Sequence, residues 1–162
     1  MSGMGYSQLV VSVKSASEIH KALDRVLKDN PEKYVGQEEF IVNIPNHELH
    51  ATLMYDKSNP NLDPGINREV YKARVTGVDR LGIPGKPYYA LVLLLESDAI
   101  QKRFKELQDI GYEHSFPELK IHVSLHYGDS VDIGLPIAQE AFERQLLPEE
   151  ITLGCETWEV CD

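Results

Sequence analysis

The sequence predicts an α+β protein with a mainly antiparallel sheet and helices on its outer faces. Three observations carry that expectation. Apolar residues recur with strand and helix periods in turn along the chain. The order strand, Ser-capped amphipathic helix, Pro-containing loop, strand occurs twice, over about residues 6–60 and 86–130. Each repeat contains nearly the same heptapeptide, Leu-His-Ala-Thr-Leu-Met-Tyr at 49–55 and Ile-His-Val-Ser-Leu-His-Tyr at 121–127, with a proline five residues before each histidine (Pro45, Pro117).

The first repeat opens with a strand expected over 8–14. Ser15 with Glu18 then forms a capping box. Ile19, Ala22, Leu23, Val26 and Leu27 supply one helical face to about Lys28. A polar connection ending in Ile44-Pro45-Asn46 leads into the first histidine strand. The following stretch, 56–67, is rich in turn signals (Asn-Pro, Asp-Pro-Gly), and 70–82 reads as a strand rich in Val, Thr, Tyr and Arg. The second repeat opens with a strand at 88–96. Ser97 caps a helix whose Ile100, Phe104, Leu107 and Ile110 line one face, stopped by Gly111. After the second histidine strand, 130–147 holds a short helix around 137–145, and 150–160, with Trp158, forms the last strand. The two histidine strands are expected to meet near a pseudo-twofold axis and to line a cleft.

With 162 residues the chain is read as one domain, 1–162, large enough to bury about 70% of its unfolded surface. No apolar run approaches the roughly 20 residues that span a bilayer, and Met-Ser-Gly-Met-Gly-Tyr is not a basic region followed by an apolar stretch. Cys155 and Cys161, if the segment is extended, lie about 20 Å apart, beyond disulfide reach, and neither belongs to a metal-binding motif. A cytoplasmic protein without membrane contact is expected. Residues 129–162 carry nine acidic side chains against Arg144 alone, so most of the formal net charge of −10 is C-terminal. The segment holding both heptapeptides is nearly neutral and shows none of the basic striping that grips long nucleic acid. A small substrate with few phosphates fits this balance.

Residues i and i+2 of a strand share a face. His50, Thr52 and Met54 therefore oppose Leu49, Ala51, Leu53 and Tyr55, while His122, Ser124 and His126 oppose Ile121, Val123, Leu125 and Tyr127. Each strand packs one apolar face and presents an imidazole and a hydroxyl on the other. A histidine pair divides the work of breaking a phosphodiester. One neutral ring takes a proton from the attacking hydroxyl or water, and the other, as imidazolium, gives one to the departing oxygen. Thr52 and Ser124 donate to the non-bridging oxygens, where negative charge accumulates. His50, Thr52, His122 and Ser124 thus form a cleavage site that requires no metal and no cofactor; either histidine fits either role.

His50-Ala51-Thr52 and His122-Val123-Ser124 resemble the paired motifs of the two-histidine (2H) phosphoesterase superfamily. The resemblance implies a bilobal α+β fold with a central cleft, no metal, and nucleotide or RNA-end phosphodiesters as substrates. Within the superfamily the wording is most similar to the phage anti-CBASS cyclic-oligonucleotide phosphodiesterases, through Leu49–Tyr55, Ala90–Glu96 with Lys102-Arg103-Phe104, Gly111-Tyr112 and His122–Tyr127. That family opens cyclic di- and trinucleotide second messengers and so blinds a bacterial immune pathway. The resemblance implies a small cyclic oligonucleotide as partner, attack by a ribose 2′-hydroxyl, and action in the host cytoplasm. It also implies that the first strand and the C-terminal segment hold the nucleotide, which here points to Tyr6, Lys14, Glu156 and Trp158.

Other residues have competing readings. His47 stands at an odd offset from His50 and reads as a loop histidine rather than a metal ligand. His126 either lines the cleft or is an exposed strand-end histidine. Tyr55 and Tyr127 read as packing residues. Trp158 either stacks on a base or packs in its strand. Lys102, Arg103 and Lys105 read as solvated. Two other functions share the motif: processing of RNA ends, 2′,3′-cyclic phosphates or 2′-5′ linkages, and a non-catalytic nucleotide sponge, which would have no use for an acid–base pair.

Overall fold

A computed structural model describes residues 3–34 and 48–162. Pro45, His47 and the predicted 44–46 connection lie outside the described residues. Among the described residues six strands and three helices follow in the order β1 (Tyr6–Val11), α1 (Val13–Asp29), β2 (His50–Tyr55), β3 (Tyr71–Leu81), β4 (Ala90–Glu96), α2 (Asp98–Ile110), β5 (His122–Tyr127), α3 (Val131–Glu143) and β6 (Glu150–Glu159). The expected α+β class and antiparallel sheet are found. The six strands close on themselves as β1-β2-β5-β4-β3-β6, with every neighbouring pair antiparallel. No described helix is long and apolar enough to cross a membrane.

Helix α1 buries Ile19, Ala22, Leu23, Val26 and Leu27, the stripe read from the sequence. Its start differs from the prediction. Ser12 is the N-cap and accepts the Ser15 amide at 3.1 Å. Ser15 is buried inside the first turn, where its hydroxyl accepts from the Thr152 amide at 2.9 Å and ties the helix to β6. The first strand consequently ends at Val11, and Lys14 sits in the helix. Helix α2 follows the prediction closely: the Ser97 hydroxyl accepts from the Ile100 amide, and Gly111, at φ 130°, ends the helix in a conformation that side chains resist. Helix α3 begins six residues before the expected Ile137 and runs through Pro136. Strand β4 begins at Ala90 rather than Tyr88, because Tyr88 takes φ 69° in the preceding turn.

One side of the strands and the inner faces of the helices form a contiguous apolar core. Leu9, Val11, Ala51, Leu53, Leu91, Leu93, Val123 and Leu125 pack there with Ile19, Leu23, Phe104, Leu107, Ile137 and Ala141. The other side of β1, β2 and β5 carries half-buried polar residues, and the histidines stand among them.

Candidate active site

Strands β2 and β5 lie side by side and pair at Ala51 and Val123, each the residue after its histidine. His50 and Thr52 from one strand and His122 and Ser124 from the other are all half-buried on the same side of this seam. The two imidazoles are held alike. His50 donates Nδ1–H to the Glu48 carbonyl at 2.8 Å, and His122 donates Nδ1–H to the Lys120 carbonyl at 2.7 Å. A carbonyl only accepts, so both rings carry a proton on Nδ1.

Each histidine strand contains one extra residue. Against β1 the register steps from Gln8–Thr52 to Ser7–Met54, leaving Leu53 unmatched. Against β4 it steps from Val92–Ser124 to Leu91–His126, leaving Leu125 unmatched. Such a bulge puts two successive side chains on one side and reverses the alternation beyond it. Leu53 and Met54 are both buried in the core, as are Leu125 and His126. Tyr55 and Tyr127 turn to the histidine side, where they pair with Tyr6 and Ala90. This corrects the sequence reading at three positions: His126 leaves the His122 face, while Tyr55 and Tyr127 join the polar side.

Tyr6 lies beside the histidine–hydroxyl pair of β2. Its hydroxyl lies 3.2 Å from His50 Nε2 and 3.3 Å from Thr52 Oγ1. With His50 protonated on Nδ1, Tyr6 donates to Nε2 and accepts from Thr52. Burial raises the Tyr6 pKa, with smaller contributions from the charges of Tyr127 and Glu159, while the Thr52 bond opposes the rise. The β5 half differs, since Ala90 stands beside Tyr127 where Tyr6 stands beside Tyr55. Burial lowers the His122 pKa, the Lys120 carbonyl opposes this, and the charges of Lys120 and His50 add to the lowering.

The remaining predicted residues do not gather here. Lys14 is exposed in the first turn of α1. Trp158 pairs across β1 with Ser7, on the core side, and stacks on Tyr112 at 4.8 Å. Glu156 is already saturated. Oε1 accepts from Asn67 and Arg103, and Oε2 accepts from Arg103 and Trp158. Burial opposes its ionisation, but these donors and the Arg103 charge hold its pKa below the usual range. Arg103, read as solvated, is instead a buried partner with an 11% exposed side chain. The β6 residues that pair with Gln8 and Tyr6 on the histidine side are Thr157 and Glu159, which the sequence reading missed. Among the described residues no three His, Cys, Asp or Glu side chains cluster as metal ligands.

A family model described as anti-CBASS protein Acb1 matches residues 9–161, a span that includes both histidine–hydroxyl pairs. The chain belongs to the anti-CBASS protein Acb1 family. The Acb1 protein of Escherichia phage RB16 is 31% identical over 87 residues, which cover 52% of this chain and 47% of that protein. The aligned stretch is therefore about half the length of that Acb1 relative. Among solved structures, Usb1 of Kluyveromyces marxianus has a TM-score of 0.53 at 10% identity, covering 98% of this chain and 94% of that one. That likeness establishes a shared fold for this Acb1-family chain.

Proposed function

We propose that this protein is a metal-independent phosphodiesterase that opens cyclic oligonucleotide second messengers, as a phage anti-CBASS enzyme acting in the host cytoplasm. The observation that carries the reading is the matched pair of imidazoles. Both are locked by Nδ1–H bonds to the carbonyl two residues back, and each shares its strand face with a hydroxyl residue two positions on, across the Ala51–Val123 pair. Membership of the Acb1 family supports the cyclic-nucleotide substrate.

In this reading His122, whose pKa is lowered, is the base. It takes the proton of a ribose 2′-hydroxyl as the new O–P bond forms. The bond from phosphorus to the departing 5′-oxygen breaks, and His50, which enters the step as imidazolium with a second proton on Nε2, gives that proton to the oxygen. Thr52 and Ser124 bond the non-bridging oxygens. The product carries a terminal cyclic phosphate, or a 3′-phosphate after water attacks in turn. The strand order supports reading the chain as one domain of two halves, about 6–60 and 86–130, related by a pseudo-twofold axis through the Ala51–Val123 pair: exchanging β1 with β4, β2 with β5 and β6 with β3 leaves the order unchanged.

The test is turnover of cyclic dinucleotides and trinucleotides, 2′-5′ oligoadenylate and short RNA by purified protein in EDTA. Cleavage of the cyclic substrates is expected, with His50→Ala and His122→Ala each abolishing turnover while retaining binding. Near-normal turnover by either variant, or loss of wild-type activity on chelation, overturns the mechanism. Preference for linear RNA overturns the substrate assignment.

A further inference from the structure

Building on this phosphodiesterase reading, we propose that Tyr55 and Phe116 form a shelf on which the nucleobase beside the scissile phosphate stacks. The bulge in β2 turns Tyr55 to the histidine side, next to Tyr6. From there the rings run outward. Tyr6 meets Tyr55 edge-on, with centroids 6.1 Å apart, and Tyr55 meets Phe116 at 6.0 Å with the planes inclined by only 30°. At the inner end of the path the Tyr6 hydroxyl touches His50 and Thr52. At its outer end Phe116 is 59% exposed. The path thus leads from an imidazole to solvent in two ring-to-ring steps.

Phe116 is exposed yet firmly carried. The segment after α2 is laced to the end of β2. The Ser115 amide donates to the Tyr55 carbonyl at 2.7 Å, the Tyr55 amide donates to His114 Nδ1 at 3.0 Å, and the Glu113 amide donates to Asp56 Oδ2 at 2.8 Å. His114 packs between Phe104 of α2 at 5.0 Å and Phe116 at 5.6 Å, propping the outer ring from behind. A large apolar ring held in place with most of its surface in water is costly to leave uncovered, and a planar base is a partner of matching shape. Aromatic faces accept any base, so the shelf supplies affinity rather than base selectivity. Lys57 Nζ, 5.8 Å from the Tyr55 centroid, adds a positive charge at the rim that suits a nucleotide phosphate.

The test compares AMP with ribose 5-phosphate, titrated by NMR into wild-type protein, Phe116→Ala and Phe116→Trp. One base–aromatic contact corresponds to about 5- to 150-fold in affinity. AMP is expected to bind the wild type more tightly than ribose 5-phosphate by a factor in that range. The difference shrinks in Phe116→Ala and persists in Phe116→Trp. With a cyclic dinucleotide substrate, Phe116→Ala raises KM by a similar factor and leaves kcat within about twofold. Equal affinity of the wild type for the two ligands, including no measurable binding of either, overturns the shelf, as does a base-dependent difference unchanged in Phe116→Ala. The two proposals fail separately. Base-dependent binding without cleavage removes the phosphodiesterase reading and keeps the shelf, whereas cleavage with base-independent binding does the reverse.

Discussion

His50 and His122 each satisfy Nδ1 locally, within three residues of chain, so the orientation of both rings is written into the strand and its approach. The hydroxyls differ more. Ser124 stands across from Val92, whereas Thr52 stands across from Gln8 and shares the Tyr6 hydroxyl. Removal of one transition-state donor costs about 10²–10³ in kcat. Ser124→Ala should therefore lose close to the full factor, and Thr52→Ala less, because the Tyr6 hydroxyl remains beside the phosphate position. Single-turnover rates on a cyclic dinucleotide measure both, and a larger loss for Thr52→Ala contradicts the assigned role of Tyr6. The histidine and hydroxyl pairs were legible because a period of two needs only the strand itself. Tyr55, Tyr127 and His126 were not, because their sides are decided by one extra residue opposite β1 and β4, a register that no local pattern records. Met54, an apolar residue on the supposedly polar side, was the one visible hint.

Among the elements, β6 departs furthest from its expected use. The family resemblance points to Glu156 and Trp158 as nucleotide-holding residues; in the fold Glu156 neutralises Arg103 of α2, with both side chains largely withdrawn from water. Breaking such a pair from one side strands a buried charge and costs about 3–5 kcal/mol. Glu156→Ala should lower the unfolding free energy by that amount, measured by urea denaturation, while the folded fraction keeps its KM for the cyclic substrate. A rise in KM without loss of stability would return Glu156 to the substrate. Most element boundaries were legible from apolar period and caps. The exceptions have physical causes. Ser12 rather than Ser15 caps α1, and the Ser15 hydroxyl instead accepts from the Thr152 amide. Gly134 and Pro136 are poor helix formers, but α3 continues through them, with Gly134, Ile137, Ala138 and Ala141 buried along it.

Across the whole molecule, His20, His114, His122 and His126 all have pKa values lowered, in each case chiefly by burial. Each binds its proton more readily in the unfolded chain, where the value is near 6.5. Their contribution to stability is therefore complete above about pH 6.5 and is lost as pH falls through the lower folded values. Tm should be lower at about pH 5 than at about pH 7.5, by roughly 2–4 °C for each kcal/mol lost. Equal or higher Tm on the acid side would contradict burial of these rings as neutral species. The ring of strands also has one weak join. Among the described residues β2 and β5 pair only at Ala51 and Val123, while each of the other five joins pairs at least four residues. The histidines straddle that join. On the proposed reading, a phosphodiester gripped by both would act as a clasp across the join with the fewest paired residues, so occupancy of the site would be linked to closure of that join.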